Sequence, residues 1–313
     1  MKMIIWNCQG AFRKKNAEIL SHKPDILIVP ECESTAKLKF DKLTPQPFDC
    51  YWYGDNDNKG IGIFSYTDYK IELLKTFNPN FRYVIPLLVS NENNAFILLA
   101  IWAMNNEENP IARYIGQVWN AINYYQPLLA KYPVILAGDF NSNQIWDKKT
   151  RVGNHTDVAN MLKIHDIISL YHQQEKEAHG QESISTFFMH RNLKKPYHID
   201  YFFAPKSIAD KDYKLTLGQP EHWLQQSDHI PLFLEIEGFD SKLSLTNSYY
   251  AMLQNHIEAL SGVAKNKLVD EINSINELAE QMDAKEATVF EQSTLIEKIS
   301  ALKSMDKYLQ VLH

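Results

Sequence analysis

Twelve short β-rich runs and only three helical ones fill the chain from its start to about residue 237. The strand candidates are "MIIW", "DILIVP", "CYWY", "GIGIFSY", "KIELLKTF", "YVIPLLV", "AFILLAIWA", "VILAGDF", "STFFMH", "HIDYFFA", "YKLTLG" and "IPLFLEIE"; the helical ones are "RKKNAEILSH", "ARYIGQVWNAINYYQPLLAKY" and "HTDVANMLKIHDI". A brief apolar run bounded by turn residues reads as a buried strand, and apolar residues three and four apart read as a helix. Many strands with few helices predict two sheets packed face to face with helices outside.

The pattern changes past Gly238. From about Ser244 strand character is lost, and Leu268, Ile272, Ile275, Ala279, Met282, then Leu295, Ile299, Leu302 and Leu309 fall on one helical stripe. Asp283 with Glu286 three residues on has the form of a capping box that starts the last helix. The expected organisation is a catalytic domain over 1–239 and a helical C-terminal extension over 240–313. Such a stripe suits packing on the first domain as well as oligomerisation or partner binding.

Composition narrows the class. With 313 residues, 45% apolar and 22% charged, the chain is an ordinary globular one. Its longest apolar runs are strand-length, short of the roughly 18 to 20 residues of a membrane span. The start "MKMIIWNCQG" lacks a long apolar leader, so a cytoplasmic protein with no membrane span is expected. Cys8, Cys32 and Cys50 are odd in number and lack CxxC spacing, which speaks for free thiols over a disulfide framework or a zinc site. A net charge of −6 argues against a generally basic nucleic-acid surface, so any phosphate must be met locally by a few cations or a metal.

Five segments place polar residues at or near a strand end. "PVILAGDFN" presents Asp139 and Asn141 on one side, because side chains alternate along a strand, while Phe140 points inward. "MIIWNCQG" carries Asn7, "PDILIVPE" ends with Glu31, "PYHIDYFF" carries Asp200 with His198 two before it, and "QQSDHIPLFLEIE" sets Asp228 and His229 ahead of a strand. Each alone has a plain structural explanation as a turn, a cap or a salt-bridge partner.

In this order, "WNCQG", "PE", "GDFN", "HIDYFF" and "SDHIPL", with "KGIGIFS" as a glycine-containing central strand, resemble the endonuclease/exonuclease/phosphatase superfamily of metal-dependent hydrolases. The resemblance covers roughly residues 1 to 237. It implies an α/β protein, a four-layer α/β/β/α sandwich of two mixed sheets with outer helices, here followed by a C-terminal all-helical appendage. It also implies hydrolysis of phosphate esters by an activated water.

Glu31, the amide oxygen of Asn7 and Asp228 would form an oxygen-only site that suits Mg²⁺ or Mn²⁺. The resemblance assigns Asp139 to orienting or deprotonating the water and Asn141 to a phosphate oxygen. His229 would bond the phosphate or act as general acid, with Asp200 holding its ring and favouring the imidazolium.

One departure stands out: where many relatives have a His or Tyr after the long central strand, "LLAIWAMN" has Trp102, and Asn105 is the nearby amide that could replace the contact. His190 and Arg191 are the favoured phosphate contacts among Arg82, Arg113, Arg151, His155, Lys194 and Lys195. Trp146 could stack on a base, although a buried Trp is the commoner outcome.

The expected partner is nucleic acid, DNA or RNA. A small phosphate ester or lipid headgroup is the alternative substrate. A non-catalytic scaffold using the same fold is the rival of another class.

Overall fold

The computed structural model describes residues 1–42 and 44–239. The expected extension over 240–313, with its capping box and its oligomerising role, lies outside the described residues. Fourteen strands occur in the described chain: β1 (Lys2–Ile5), β2 (Ile26–Cys32), β3 (Asp49–Asn56), β4 (Lys59–Ser65), β5 (Lys70–Leu73), β6 (Val84–Ser90), β7 (Ala95–Trp102), β8 (Val134–Asp139), β9 (Ile167–Ser169), β10 (Phe187–Phe188), β11 (Pro196–Tyr197), β12 (Asp200–Pro205), β13 (Tyr213–Leu217) and β14 (Leu232–Ile236). One sheet has the order β13-β14-β1-β2-β4-β3, the other β5-β6-β7-β8-β12-β9, and β10-β11 form a small hairpin. Both large sheets are mixed, since β1–β2 and β7–β8 pair parallel among antiparallel neighbours.

Strand β7 shows why the layers form. Phe96, Leu98, Ala100 and Trp102 point between the sheets, where they meet Met3, Ile5, Ile28, Ile63, Leu232 and Leu234. Ile97, Leu99 and Ile101 point the other way, under Trp119 and Ile122 of the helix Ile115–Tyr124 and Val158 and Met161 of the helix His155–Ile164. A strand apolar on both faces is the mark of a sheet covered on both sides. On the far side of the first sheet, Ile4, Trp6, Leu27 and Val29 pack against Phe12, Ile19, Leu38 and Trp223. The result is the expected α/β/β/α sandwich.

Three elements differ from expectation. "ARYIGQVWNAINYYQPLLAKY" forms two helices, Ile115–Tyr124 and Gln126–Lys131, because Pro127 sits in the first turn of the second, and proline suits a helix start and not an interior. "RKKNAEILSH" gives a 3-10 turn, Phe12–Lys14, before the helix Asn16–Ser21. "STFFMH" yields only the two residues of β10, after which His190 and Arg191 are both left-handed, with φ of 57° and 56°.

Candidate active site

The polar residues gather at one end of the paired sheets. Strand β8 delivers Asp139 after Gly138, whose φ is 144°. A Cβ at Gly138 would run into the backbone oxygen of Ile101 on the neighbouring strand, so glycine is what lets β8 close on β7 there. Asn141 then turns left-handed, with φ of 47°. Its backbone N–H donates to Asp139 Oδ1 at 2.8 Å, and its Nδ2 donates to Asp139 Oδ2 at 3.0 Å and to Ala103 O at 2.8 Å. Both amide hydrogens therefore have partners within the protein, and Asn141 acts here on Asp139.

Asp200 lies opposite Asp139 across the β8–β12 ladder. His229 arrives from the other sheet, just before β14, and its Nδ1 meets Asp200 Oδ2 at 2.9 Å. Its Nε2 lies 3.8 Å from Asp139 Oδ2, beyond hydrogen-bond length. All three residues are buried. Burial pushes the Asp139 carboxyl up to about 7 against the pull of His229. Burial also pushes the His229 imidazole down, but Asp200 and Asp139 outweigh it and raise the ring to about 10. The geometry is that of one imidazolium held between two carboxylates.

Asn7 follows β1 and points Nδ2 at Asp139 Oδ2, 2.9 Å away, and at Glu31 Oε1, 3.4 Å away. Its Oδ1 accepts the backbone N–H of Gln9 at 3.0 Å. The oxygen expected to serve as a metal ligand thus already carries a backbone hydrogen bond, while the amide nitrogen faces the carboxylates of Asp139 and Glu31. Glu31 reaches the site through a bulge, since the β2–β4 register shifts between Pro30 and Cys32 and Glu31 has φ of 61°. Its Oε2 meets Lys59 Nζ at 2.8 Å. Asp228 Oδ2 accepts from Gln9 Nε2 at 2.9 Å, and Gln9 Oε1 accepts from Arg191 Nε at 3.1 Å. Arg191 also donates to the carbonyls of Gln225 and Gln226, at 3.1 and 3.2 Å.

The remaining expectations divide. Trp102 pairs in register with Asp139 but is buried against Tyr83, ring centroids 4.7 Å apart, with Lys59 Nζ 5.7 Å from its own centroid. Asn105 and His190 are exposed. Trp146 is 48% exposed, contrary to the commoner fate of a Trp, and faces Tyr197 with ring centroids 5.1 Å apart. Arg82 pairs with Asp55, while Arg113 and Arg151 donate to the carbonyls of Asn106 and Ile111, at 3.0 and 3.1 Å.

Gln9, Lys59 and Ser227 escaped the sequence reading. Ser227 Oγ donates to Asn7 O at 2.7 Å and accepts the His229 N–H at 3.1 Å, tying the two ends of the domain together. Gln9 had a signal, since it stands two residues after Asn7 in "WNCQG".

No curated protein matches the chain in sequence. Similar solved structures include the 3′ phosphatase NExo from Neisseria bound to product DNA hairpin, 18% identical with a TM-score of 0.52 over 76% of this chain and 99% of that one. An AP endonuclease from Archaeoglobus fulgidus is 15% identical with a TM-score of 0.53, over 76% of this chain and 99% of its own. The AP endonuclease LMAP from Leishmania major is 13% identical with a TM-score of 0.54, over 74% and 86%. At these identities the likeness is one of fold. The model of the endonuclease/exonuclease/phosphatase family matches residues 4–229, most of the chain, and the protein belongs to that family.

Proposed function

We propose that the protein is a divalent-metal-dependent phosphodiesterase that cuts nucleic acid by direct attack of a water. Glu31 and Asp228 fit a hard cation. Asp228 is pushed above its ordinary carboxylate range by burial and further by the charge of Glu31, and Lys59 is the cation that Glu31 meets at 2.8 Å. A buried Asp228 carboxylate that feels the charge of Glu31 favours an additional positive charge beside it. When bound, Mg²⁺ or Mn²⁺ supplies positive charge to a phosphate oxygen and to the leaving oxygen.

The side chains divide the rest of the work. Asp139, held by Asn7 and Asn141, orients the attacking water and accepts its proton. His229, charged and fixed through Nδ1 by Asp200, donates from Nε2 to a non-bridging phosphate oxygen. Lys59, Gln9 and Arg191 line the rim where further phosphate oxygens would pass.

The observation that carries the nucleic-acid reading is a row of rings leading to His229. Exposed Trp146 faces Tyr197 at 5.1 Å, Tyr197 stacks with Phe187 at 6.3 Å, and Phe187 lies 4.7 Å from the His229 ring. Bases stack on such a surface, and Lys194 and Lys195 of the same hairpin supply cations for the backbone. The Neisseria 3′ phosphatase, similar in fold and bound to a product DNA hairpin, is in keeping with this reading.

The test is hydrolysis of single-stranded and duplex DNA, RNA, an abasic duplex and small phosphomono- and diesters, with Mg²⁺, Mn²⁺ or EDTA, beside Asp139→Ala. Metal-dependent cleavage of a nucleic acid, absent in the variant, is the expected result. Turnover confined to small esters would remove the polymer from the reading, and silence throughout would remove catalysis.

A further inference from the structure

A second group of ligating side chains sits behind the loop that follows β8, away from Glu31 and Asp228. One ring nitrogen each of His172 and His179 and a carboxylate oxygen of Glu182 all lie within 4.8 Å of one another. Three imidazoles and one carboxylate crowd together here. The rings of His172 and His179 stack at 3.6 Å, and His155 Nε2 lies 3.0 Å from His179 Nδ1.

The surrounding contacts hold these donors in place. His172 Nδ1 meets Ser169 Oγ at 2.7 Å, which leaves Nε2 directed at Glu182 Oε1, 3.1 Å away. Glu182 Oε1 also accepts the Gly180 N–H at 3.0 Å, and Oε2 accepts from Asn143 Nδ2 at 3.0 Å. In the tautomer where His179 donates from Nδ1 to His155, its Nε2 lone pair is open. A ligating imidazole whose other nitrogen is engaged and a carboxylate steadied by an amide are the usual supports of a transition-metal site.

A second observation points the same way. His198 and His155 are 3% and 1% exposed, yet His198 Nε2 and His155 Nδ1 have no hydrogen-bond partner. His198 Nδ1 meets Ile184 O at 2.7 Å, and its ring lies 6.2 Å from that of His172. Buried polar nitrogens are rarely left open; when His179 donates to His155, the His155 Nδ1 carries the ring proton, whereas the His198 Nε2 is an open lone pair at the edge of the cluster.

We propose that His172, His179 and Glu182 form a second cation site, for a divalent transition metal of the zinc type, that fastens the segment 170–186 to the loop carrying Asn143. Two imidazoles and a carboxylate are a zinc donor set, in contrast to the oxygens of Glu31 and Asp228. Donors in tetrahedral zinc sites stand about 3.3 Å apart, and with His172 Nε2 already 3.1 Å from Glu182 Oε1 and all donors within 4.8 Å of one another, only a small closure is needed on binding. The site acts at a distance on the substrate face. Asn143 caps the 3-10 turn Gln144–Trp146 through its Oδ1, 3.1 Å from Ile145 N, so the metal would steady the turn that presents Trp146.

The experiment uses the full-length protein, stripped with a chelator and titrated with Co²⁺, then Zn²⁺, in excess Mg²⁺. The expected result is one equivalent of Co²⁺ with the visible absorption of a tetrahedral site, displaced by Zn²⁺ and untouched by Mg²⁺. His179→Gln should abolish the band, and Glu31→Gln with Asp228→Asn should keep it. X-ray absorption at the zinc edge of the wild-type protein should show nitrogen and oxygen donors near about 2.0 Å, including two imidazoles, which decides the matter even if the His179 variant does not fold. Absence of the Co²⁺ band, a band that survives His172→Gln with His179→Gln, or one lost in the Glu31/Asp228 variant would each overturn the proposal.

Discussion

Asp139 and Asp200 stand opposite each other on adjacent strands and share one imidazole, with His229 Nε2 3.8 Å from Asp139 and Nδ1 2.9 Å from Asp200. Asp200→Asn keeps the side chain's shape and removes the charge that holds the ring protonated. We expect kcat to fall by about 10²- to 10⁴-fold, with KM and the thermal melting temperature little changed. Steady-state kinetics beside a circular-dichroism melt checks this, and an undiminished kcat would exclude the pair from the chemistry.

Gly138→Ala should be among the most damaging single changes. The new Cβ meets the backbone oxygen of Ile101, and φ of 144° strains any L side chain. Loss of about 3 kcal/mol or more is expected from strain and overpacking together. Urea unfolding monitored by tryptophan fluorescence measures it, and a wild-type midpoint would show that β7 and β8 yield more easily than their packing implies.

Trp146→Ala should leave the fold alone and change substrate handling. Half of the ring is exposed, so little core is lost. Stacking of a base on an aromatic ring contributes about 1–3 kcal/mol, so KM for a nucleic acid should rise by about tenfold or more, while hydrolysis of a small diester stays level. Equal loss on both substrates would place Trp146 in the structure instead of at the substrate.

The three thiols should differ in reactivity. Cys8 and Cys32 are fully buried and burial pushes both well above the ordinary thiol range, whereas Cys50 is half-buried and less affected. The thiolate is the reactive form, so an aromatic disulfide reagent near pH 8 should modify Cys50 alone in the native protein and all three in denaturant. Mass spectrometry of the labelled peptides reads this directly.

His165 should contribute to acid lability. Burial holds its ring below the usual imidazole range, and its Nε2 is buried without a partner. The unfolded chain therefore takes up this proton at a higher pH than the folded one does, with a reference value of about 6.5. The stability contributed by the neutral ring is complete above that value and is lost as pH falls through it toward the lower folded value. Unfolding free energies at pH 7 and pH 5 should differ less for His165→Gln than for the wild-type protein; an equal difference would assign the acid limb to other groups.

The strands and the "GDFN" tip were readable because period-two alternation and a strand-ending glycine are local signals. The order of the polar segments then suggested which ends meet. What could not be read came from contacts between distant residues. Glu31 enters the site by a bulge that no residue type announces, Asn7 turns its oxygen toward Gln9, and Asn141 has both amide hydrogens taken within the fold. The cluster of His172, His179 and Glu182 was hidden because its members lie on a short helix and a loop without a shared spacing. Trp146 was misjudged by frequency, since most Trp residues find a core.

Strand order sets a timetable for the molecule. Strand β1, the earliest of these strands to leave the ribosome, pairs with β14 as well as β2, and the Ser227 hydroxyl that steadies Asn7 stands 220 residues away in the chain. A growing polypeptide thus carries Asn7, Glu31 and then Asp139 through a long stretch of its synthesis without Asp228 or His229. The proposed site is completed only when the last strand of the described chain slots between β13 and β1, so an unfinished chain should lack the activity of the whole.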